Sequence, residues 1–157
     1  RQLALDVSDS GRFMTLFYLR IDLETRHLRW VRAGHPAALF FDPGSGSFRE
    51  LGGQGMALGV ASDWVYTEEA GPQATAGILA IATDGLWEAR DKQQRSYGQK
   101  RFQDVIRIHA TLGAEAIIDK VYADLAEHTL GVLPEDDITL VIVKFDGGED
   151  AAFDYHI

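Results

Sequence analysis

The chain has 157 residues, 46% hydrophobic and 25% charged, with no cysteine and a formal net charge of −9 from 24 acidic against 15 basic residues. That length holds one domain with a real core. The acidic balance excludes a non-specific nucleic-acid binder and disfavours an anionic membrane surface, and the missing thiol excludes disulfides, thiolate metal sites and cysteine nucleophiles, while staying compatible with a reducing cytoplasm.

Residues 1–10 are polar with scattered Leu, which predicts the end of a helix, and Gly11 breaks it. The chain opens at Arg1 and reads as mid-domain sequence from the start, so a fragment is expected. Residues 13–22 alternate as a strand, with Phe13, Thr15, Phe17, Leu19 and Ile21 on one face and Met14, Leu16 and Tyr18 on the other. Apolar character on both faces predicts an interior strand. A turn at Glu24-Thr25-Arg26 leads back through a second strand, residues 27–33, as an antiparallel hairpin. Ala33-Gly34-His35-Pro36 interrupts the sheet, residues 37–41 form a third strand, Asp42-Pro43-Gly44-Ser45-Gly46 a turn, and residues 47–51 a fourth strand. The glycine-rich segment 52–59 lacks the Lys-Ser/Thr ending of a phosphate-binding loop and reads as a mobile connector. A strand over 64–69 is expected to end before Gly71-Pro72.

Residues 78–83, Ile-Leu-Ala-Ile-Ala-Thr, form an apolar run that predicts a strand buried on both faces. It enters Asp84-Gly85 and a short helical segment at once. Two readings of Asp84 stand side by side: a helix N-cap, or a carboxylate presented at a strand end to a metal ion. After a loop over 90–97, Phe102, Val105, Ile106 and His109 recur at helical spacing, which makes His109 a core-edge residue. Gly113 opens a second helix striped by Ile117, Ile118, Val121 and Leu125, ended by Gly131 and Pro134. Glu135-Asp136-Asp137 precede the last strand, residues 138–145, and residues 147–157 form a polar tail whose end, 153–157, either docks or frays.

Two carboxylate sites therefore bracket two strands. If those strands pair antiparallel, Asp84 and Asp136-Asp137 fall at the same end of the sheet. Converging carboxylates need cations between them. Oxygen ligands without Cys or clustered His suit magnesium or manganese rather than zinc. Such ions work in pairs roughly 3.5–4 Å apart and activate water for attack on phosphorus. The bland alternative is that adjacent acids in a loop are solvated. The five histidines show no zinc-protease spacing, and no nucleophile elbow is present.

Residues 12–18 (Arg-Phe-Met-Thr-Leu-Phe-Tyr), Ala33-Gly34-His35-Pro36, Leu58-Gly59, Thr83-Asp84-Gly85-Leu86-Trp87-Glu88-Ala89 and Asp136-Asp137-Ile138-Thr139-Leu140 follow one another in an order that resembles a known family. It is the sporulation-protein-E branch of the metal-dependent serine/threonine phosphatases, within the type 2C superfamily. The resemblance implies an α+β fold, an α/β/β/α sandwich of two antiparallel sheets flanked by helices, here incomplete at the N-terminus. It implies a phosphatase domain over 1–146 with a tail over 147–157. It further implies hydrolysis of phosphoserine or phosphothreonine with two Mn2+ or Mg2+ ions, a phosphorylated anti-sigma-factor antagonist as substrate, and a cytoplasmic setting. Asp84 and Asp136 match metal-binding positions, with Asp137 beside them. His35 matches a recurrent motif histidine, read as turn-stabilising. The family's first acidic motif, a Gly-Asp followed by aromatics, has no match here, so this chain by itself is expected to bind metal poorly and be inactive. The missing strands would leave sheet edges open, so a homodimer of this chain is expected as an effect of its truncation. The alternative is a non-catalytic relative that binds a regulatory partner.

Overall fold

A computed structural model describes residue 7, residues 12–147 and residues 153–156. The helix end expected over 1–10 lies outside the described residues apart from Val7. The chain divides into two compact units, Arg1–Ala38 with Leu51–Ala74, and Leu39–Glu50 with Thr75–Ile157. The class is α+β, with two antiparallel sheets and few helices, as expected.

The first unit carries a three-stranded sheet of order β1-β2-β5, formed by β1 (Leu16–Ile21), β2 (His27–Ala33) and β5 (Glu69–Gln73). Asp22 shapes the β1–β2 turn, its Oδ1 accepting the backbone N–H groups of Glu24 and Thr25. The β1 strand sits at an edge of this sheet, and none of its residues is fully buried. This corrects the interior placement expected from its two apolar faces: Phe13 is 72% exposed. The strand expected over 64–69 is displaced to Glu69–Gln73 and contains Gly71 and Pro72. Two features allow it. An edge strand leaves one row of N–H groups unpaired, so proline is tolerated there. Gly71 lies against the Trp30 indole, where an added Cβ would come within 2.9 Å of the ring.

The glycine-rich segment is anchored, contrary to the mobile connector expected. Trp30 Nε1 donates to the Gly52 carbonyl, Arg32 Nη1 to the Gly53 carbonyl, and the Gly34 N–H to the Gly55 carbonyl. Gly55 is required by close approach, because a Cβ there would overlap the Arg32 carbonyl oxygen. Leu58 and Met14 exchange both backbone hydrogen bonds.

The second unit carries a five-stranded sheet of order β4-β3-β6-β7-β8, formed by β3 (Ala38–Asp42), β4 (Ser47–Leu51), β6 (Gly77–Ala82), β7 (Leu140–Phe145) and β8 (Phe153–His156). The β6 strand is buried on both faces, as its unbroken apolar run predicts: Ile78, Leu79 and Ala80 are all 2% exposed or less. The end of the expected tail docks, since β8 pairs antiparallel with β7.

Among the described residues three helices complete this unit: α1 (Gly85–Glu88), α2 (Gln99–Ile108) and α3 (Ala114–Thr129). Phe102, Val105 and Ile106 of α2, and Ile117, Ile118, Val121 and Leu125 of α3, are buried in one cluster with Leu39, Ile78, Leu140 and Ile142 of the sheet. Each large side chain in it contributes on the order of 2 kcal/mol. His109 stands at the C-terminal cap of α2, half-buried, as its stripe position implies.

Between α1 and α2 the chain makes a small hairpin whose Arg90 and Ser96 pair. Asp91 is its pin. The side chain is buried, and its oxygens accept the N–H groups of Gln93 and Arg95 and the Arg95 guanidinium. The base of the hairpin is held to α3. Asp124 accepts hydrogen bonds from the Tyr97 hydroxyl at 2.7 Å and from Arg101 at 2.7 and 2.9 Å. The Arg101 bonds hold the Asp124 carboxyl below its ordinary value of 3.8, outweighing the opposing effect of burial, and the Tyr97 bond adds to them. Burial and the neighbouring carboxylate push the Tyr97 hydroxyl upward.

These directions carry a sign. A carboxyl whose folded pKa is depressed adds stability above its unfolded pKa and loses it as pH falls through the folded value. Asp124→Asn is expected to destabilise the protein by about 2 kcal/mol at neutral pH, the scale of a charge-assisted hydrogen bond. The difference from wild type is expected to shrink as pH falls below about 4, the ordinary carboxyl value, and to vanish once pH passes the lower folded value of Asp124, where both chains lack the charge. Thermal melts from pH 2.5 to 7 check this, and a gap that is constant with pH contradicts it.

Candidate metal centre

The candidate centre grows from the pairing of β6 with β7. The strands run antiparallel, with Ala82 opposite Leu140. The register continues one residue beyond the strands, where the Thr83 N–H donates to the Thr139 carbonyl at 3.1 Å. The Thr83 side chain adds a clasp: its hydroxyl donates to the Asp137 carbonyl at 3.1 Å and accepts the Thr139 N–H at 2.9 Å. Asp84 directly follows one side of this clasp, and Asp136-Asp137 precede the other. The antiparallel condition set by the sequence is met, and both acidic sites occupy one end of the five-stranded sheet.

Asp84 occupies the N-cap position of α1 with αR backbone angles, but its side chain makes no capping hydrogen bond. Its carbonyl, rather than its carboxylate, receives the first helical N–H groups, those of Trp87 and Glu88. Capping is thus not what occupies this carboxylate. Asp84, Asp136 and Asp137 are all exposed, and among the described residues none of the three side chains has a hydrogen-bond or ion-pair partner.

Gly85 explains how the two acidic segments come so close. Its backbone has no left-handed torsion, so conformational freedom is not its reason. A Cβ at Gly85 would stand 2.9 Å from the Asp137 carbonyl oxygen and 3.3 Å from that of Asp136. The glycine makes room for the neighbouring loop to pass.

A recess beside this junction is lined by Gly85, Glu88, Arg90, Gln94, Glu135 and Asp136, among others. Gln94 has a positive φ of 63°, at the tip of the hairpin. Arg90 and Gln94 bring the loop that Asp91 pins into the lining of this recess.

The donor set suits a hard divalent cation: carboxylate oxygens, exposed and free of protein partners. The number of ligands is small. Among the described residues no group of three or more His, Asp or Glu side chains is disposed to hold an ion. The structure brings Asp84 and Asp136-Asp137 to one sheet end without drawing them into a closed shell. A hard cation takes six or more oxygens, so the remainder of its shell must come from water or further ligands.

His35 lies away from these residues in the sequence and in the first unit. Its Nδ1 is 3.0 Å from the Pro36 carbonyl, and its own carbonyl accepts the Arg32 guanidinium. These contacts are those of a turn-stabilising residue. Sequence reasoning missed the clasp made by Thr83. A signal was available, since Thr83 directly precedes Asp84, but its use depends on register.

The profile of the family described as Stage II sporulation protein E (SpoIIE) matches residues 1–146. Phosphoserine phosphatase RsbU of Bacillus subtilis is 22% identical over 136 residues, 87% of this chain and 40% of that protein. The SiaA-PP2C domain of Pseudomonas aeruginosa superposes with a TM-score of 0.77 at 25% identity, over 92% of this chain and 56% of that one. The phosphatase domain of the Bacillus subtilis cell fate determinant SpoIIE, presoaked with Mn, matches with a TM-score of 0.63 at 17% identity, over 85% of this chain and 57% of that one. The chain spans between 22% and 40% of the length of the curated relatives it matches. With a matching profile over nearly all its length, and a type 2C phosphatase fold in its structural neighbours, the chain belongs to the SpoIIE family of phosphatase domains.

Proposed function

We propose that this chain is part of a metal-dependent phosphoserine/phosphothreonine protein phosphatase that acts in bacterial signalling on a phosphorylated anti-sigma-factor antagonist. The observation that carries the proposal is the Thr83 clasp, which sets Asp84 and Asp136-Asp137 at one end of the β6–β7 pair. Membership of the SpoIIE family and likeness to RsbU support the reaction class.

In this proposal Asp84 and Asp136 hold Mn2+ or Mg2+, and Asp137 either joins them or orients a ligand. The complete domain takes two ions. When bound, the metal supplies positive charge to phosphoryl oxygens and a water acidic enough to act as nucleophile. The chain's own contribution is positional. The clasp and Gly85 fix the spacing of the acids, and the pinned hairpin supplies part of the recess lining. We place the domain in the cytoplasm, with dimerisation through a free sheet edge as an accompanying expectation; among the described residues no helix is long and apolar enough to cross a membrane.

A second reading has one observation on its side. The described residues hold no ready group of three ligands, as a non-catalytic relative that binds a regulatory partner would allow. Manganese titration calorimetry separates the two, on this chain and on a longer chain extended toward the length of its relatives. The expected result is two ions bound by the longer chain with turnover of a phosphoserine protein, and weak binding with little turnover by this chain. Robust turnover by this chain refutes its predicted inactivity. Absence of binding by both refutes the phosphatase proposal and leaves partner binding as the function.

A further inference from the structure

The arginines near the recess are not equivalent. Arg95 is committed to Asp91, and Arg101 to Asp124. Arg90 belongs to the same stretch of chain, lines the recess with Gly85 and Asp136, and has no hydrogen-bond or ion-pair partner for its side chain among the described residues. Its backbone is nevertheless held. Arg90 pairs with Ser96, the neighbouring Ala89 carbonyl accepts the Tyr97 N–H at 2.8 Å, and the adjacent Asp91 is the buried pin of the hairpin. A guanidinium with a fixed root and a free head is thus presented at the edge of the acidic junction.

We infer that Arg90 binds the phosphoryl group of the substrate. The inference rests on the phosphatase proposal and adds a residue to it. An anionic substrate approaching a chain of net charge −9 meets repulsion at every acidic patch. Glu88 and Glu135 line the same recess, so a cation is needed where the phosphate is to sit. The planar guanidinium offers two parallel N–H donors that match two phosphoryl oxygens, a geometry that lysine cannot reproduce. Because Arg90 is exposed and unpartnered, no internal ion pair has to break before it takes a ligand. The recess walls also sort substrates: Glu88 and Glu135 disfavour acidic residues beside the phosphorylated one.

The test compares Arg90→Ala and Arg90→Lys with wild type in the longer, manganese-loaded chain. The first readout is the affinity for inorganic phosphate, by calorimetry. The second is the split between KM and kcat on a phosphoserine peptide. Arg90→Ala is expected to weaken phosphate binding and raise KM by about 10- to 100-fold, the scale of a lost charge-assisted hydrogen bond, with manganese affinity and melting temperature unchanged. Arg90→Lys is expected to recover part of the loss, through charge without the paired donors. Phosphate affinity and KM that are the same in wild type and Arg90→Ala overturn the inference while the phosphatase proposal stands. A wild-type chain that binds neither manganese nor phosphate overturns both, before any variant is compared.

Discussion

Asp84→Asn is expected to cripple metal binding in the longer chain: manganese affinity should fall by more than about 100-fold, beyond what loss of an outer partner of a ligand costs, and phosphatase activity with it. Asparagine keeps the shape and one oxygen but loses the charge that a hard cation needs. The fold is expected to tolerate the change. The carboxylate is exposed and makes no capping bond, so stability should move by no more than about 0.5 kcal/mol. The two readouts pull apart here because the side chain is free of structural duties. Calorimetry with manganese and a thermal melt on the same sample check both. Unchanged metal affinity in the variant would return Asp84 to a structural role and remove the centre proposed for the sheet end.

Gly85→Ala is expected to do the opposite and damage the fold locally. In an exposed helix the exchange normally stabilises by up to about 1 kcal/mol. Here the new methyl would stand 2.9 Å from the Asp137 carbonyl oxygen, and within 3.4 Å of the Asp136 Cβ. Both obstacles belong to a segment clasped by Thr83, so relief requires that segment to move. A net loss of about 1–3 kcal/mol is expected, the range for overpacking. A weaker manganese affinity should accompany it, because the displaced loop carries Asp136 and Asp137. Denaturant unfolding of the metal-free chain reads the first effect, and titration of the longer chain the second. A variant as stable as wild type would show that the loop yields at no cost and that the spacing of the acids is not held by this contact.

How much of this was legible in the sequence differs from element to element. The β6 strand was, because an unbroken apolar run allows only burial on both faces. The stripes of α2 and α3 were, because a 3.6-residue period has one buried face. The β1 strand was misplaced inside the fold, since alternation says which residues share a face and nothing about which strand lies at an edge. The β5 strand was misplaced in sequence because Gly71-Pro72 reads as a stop. An edge position and the Trp30 ring reverse that rule, and both are tertiary facts. The glycine-rich segment read as mobile because its partners, Trp30 and Arg32, lie on another strand.

The sequence by itself determined the chemistry available: acidic oxygen donors, no thiol, and a motif order that resembles one family from about Leu3 to Phe145. These properties are local, written in residue type and spacing. Only the tertiary structure decided that Asp84 and Asp136-Asp137 share one end of a sheet, that Asp84 does not cap α1, and that Gly85 serves close approach rather than conformational freedom. Each depends on strand register, and register is set by side chains far apart in the chain meeting across a pair. Thr83, 54 residues from Asp137, closes that distance with a single hydroxyl.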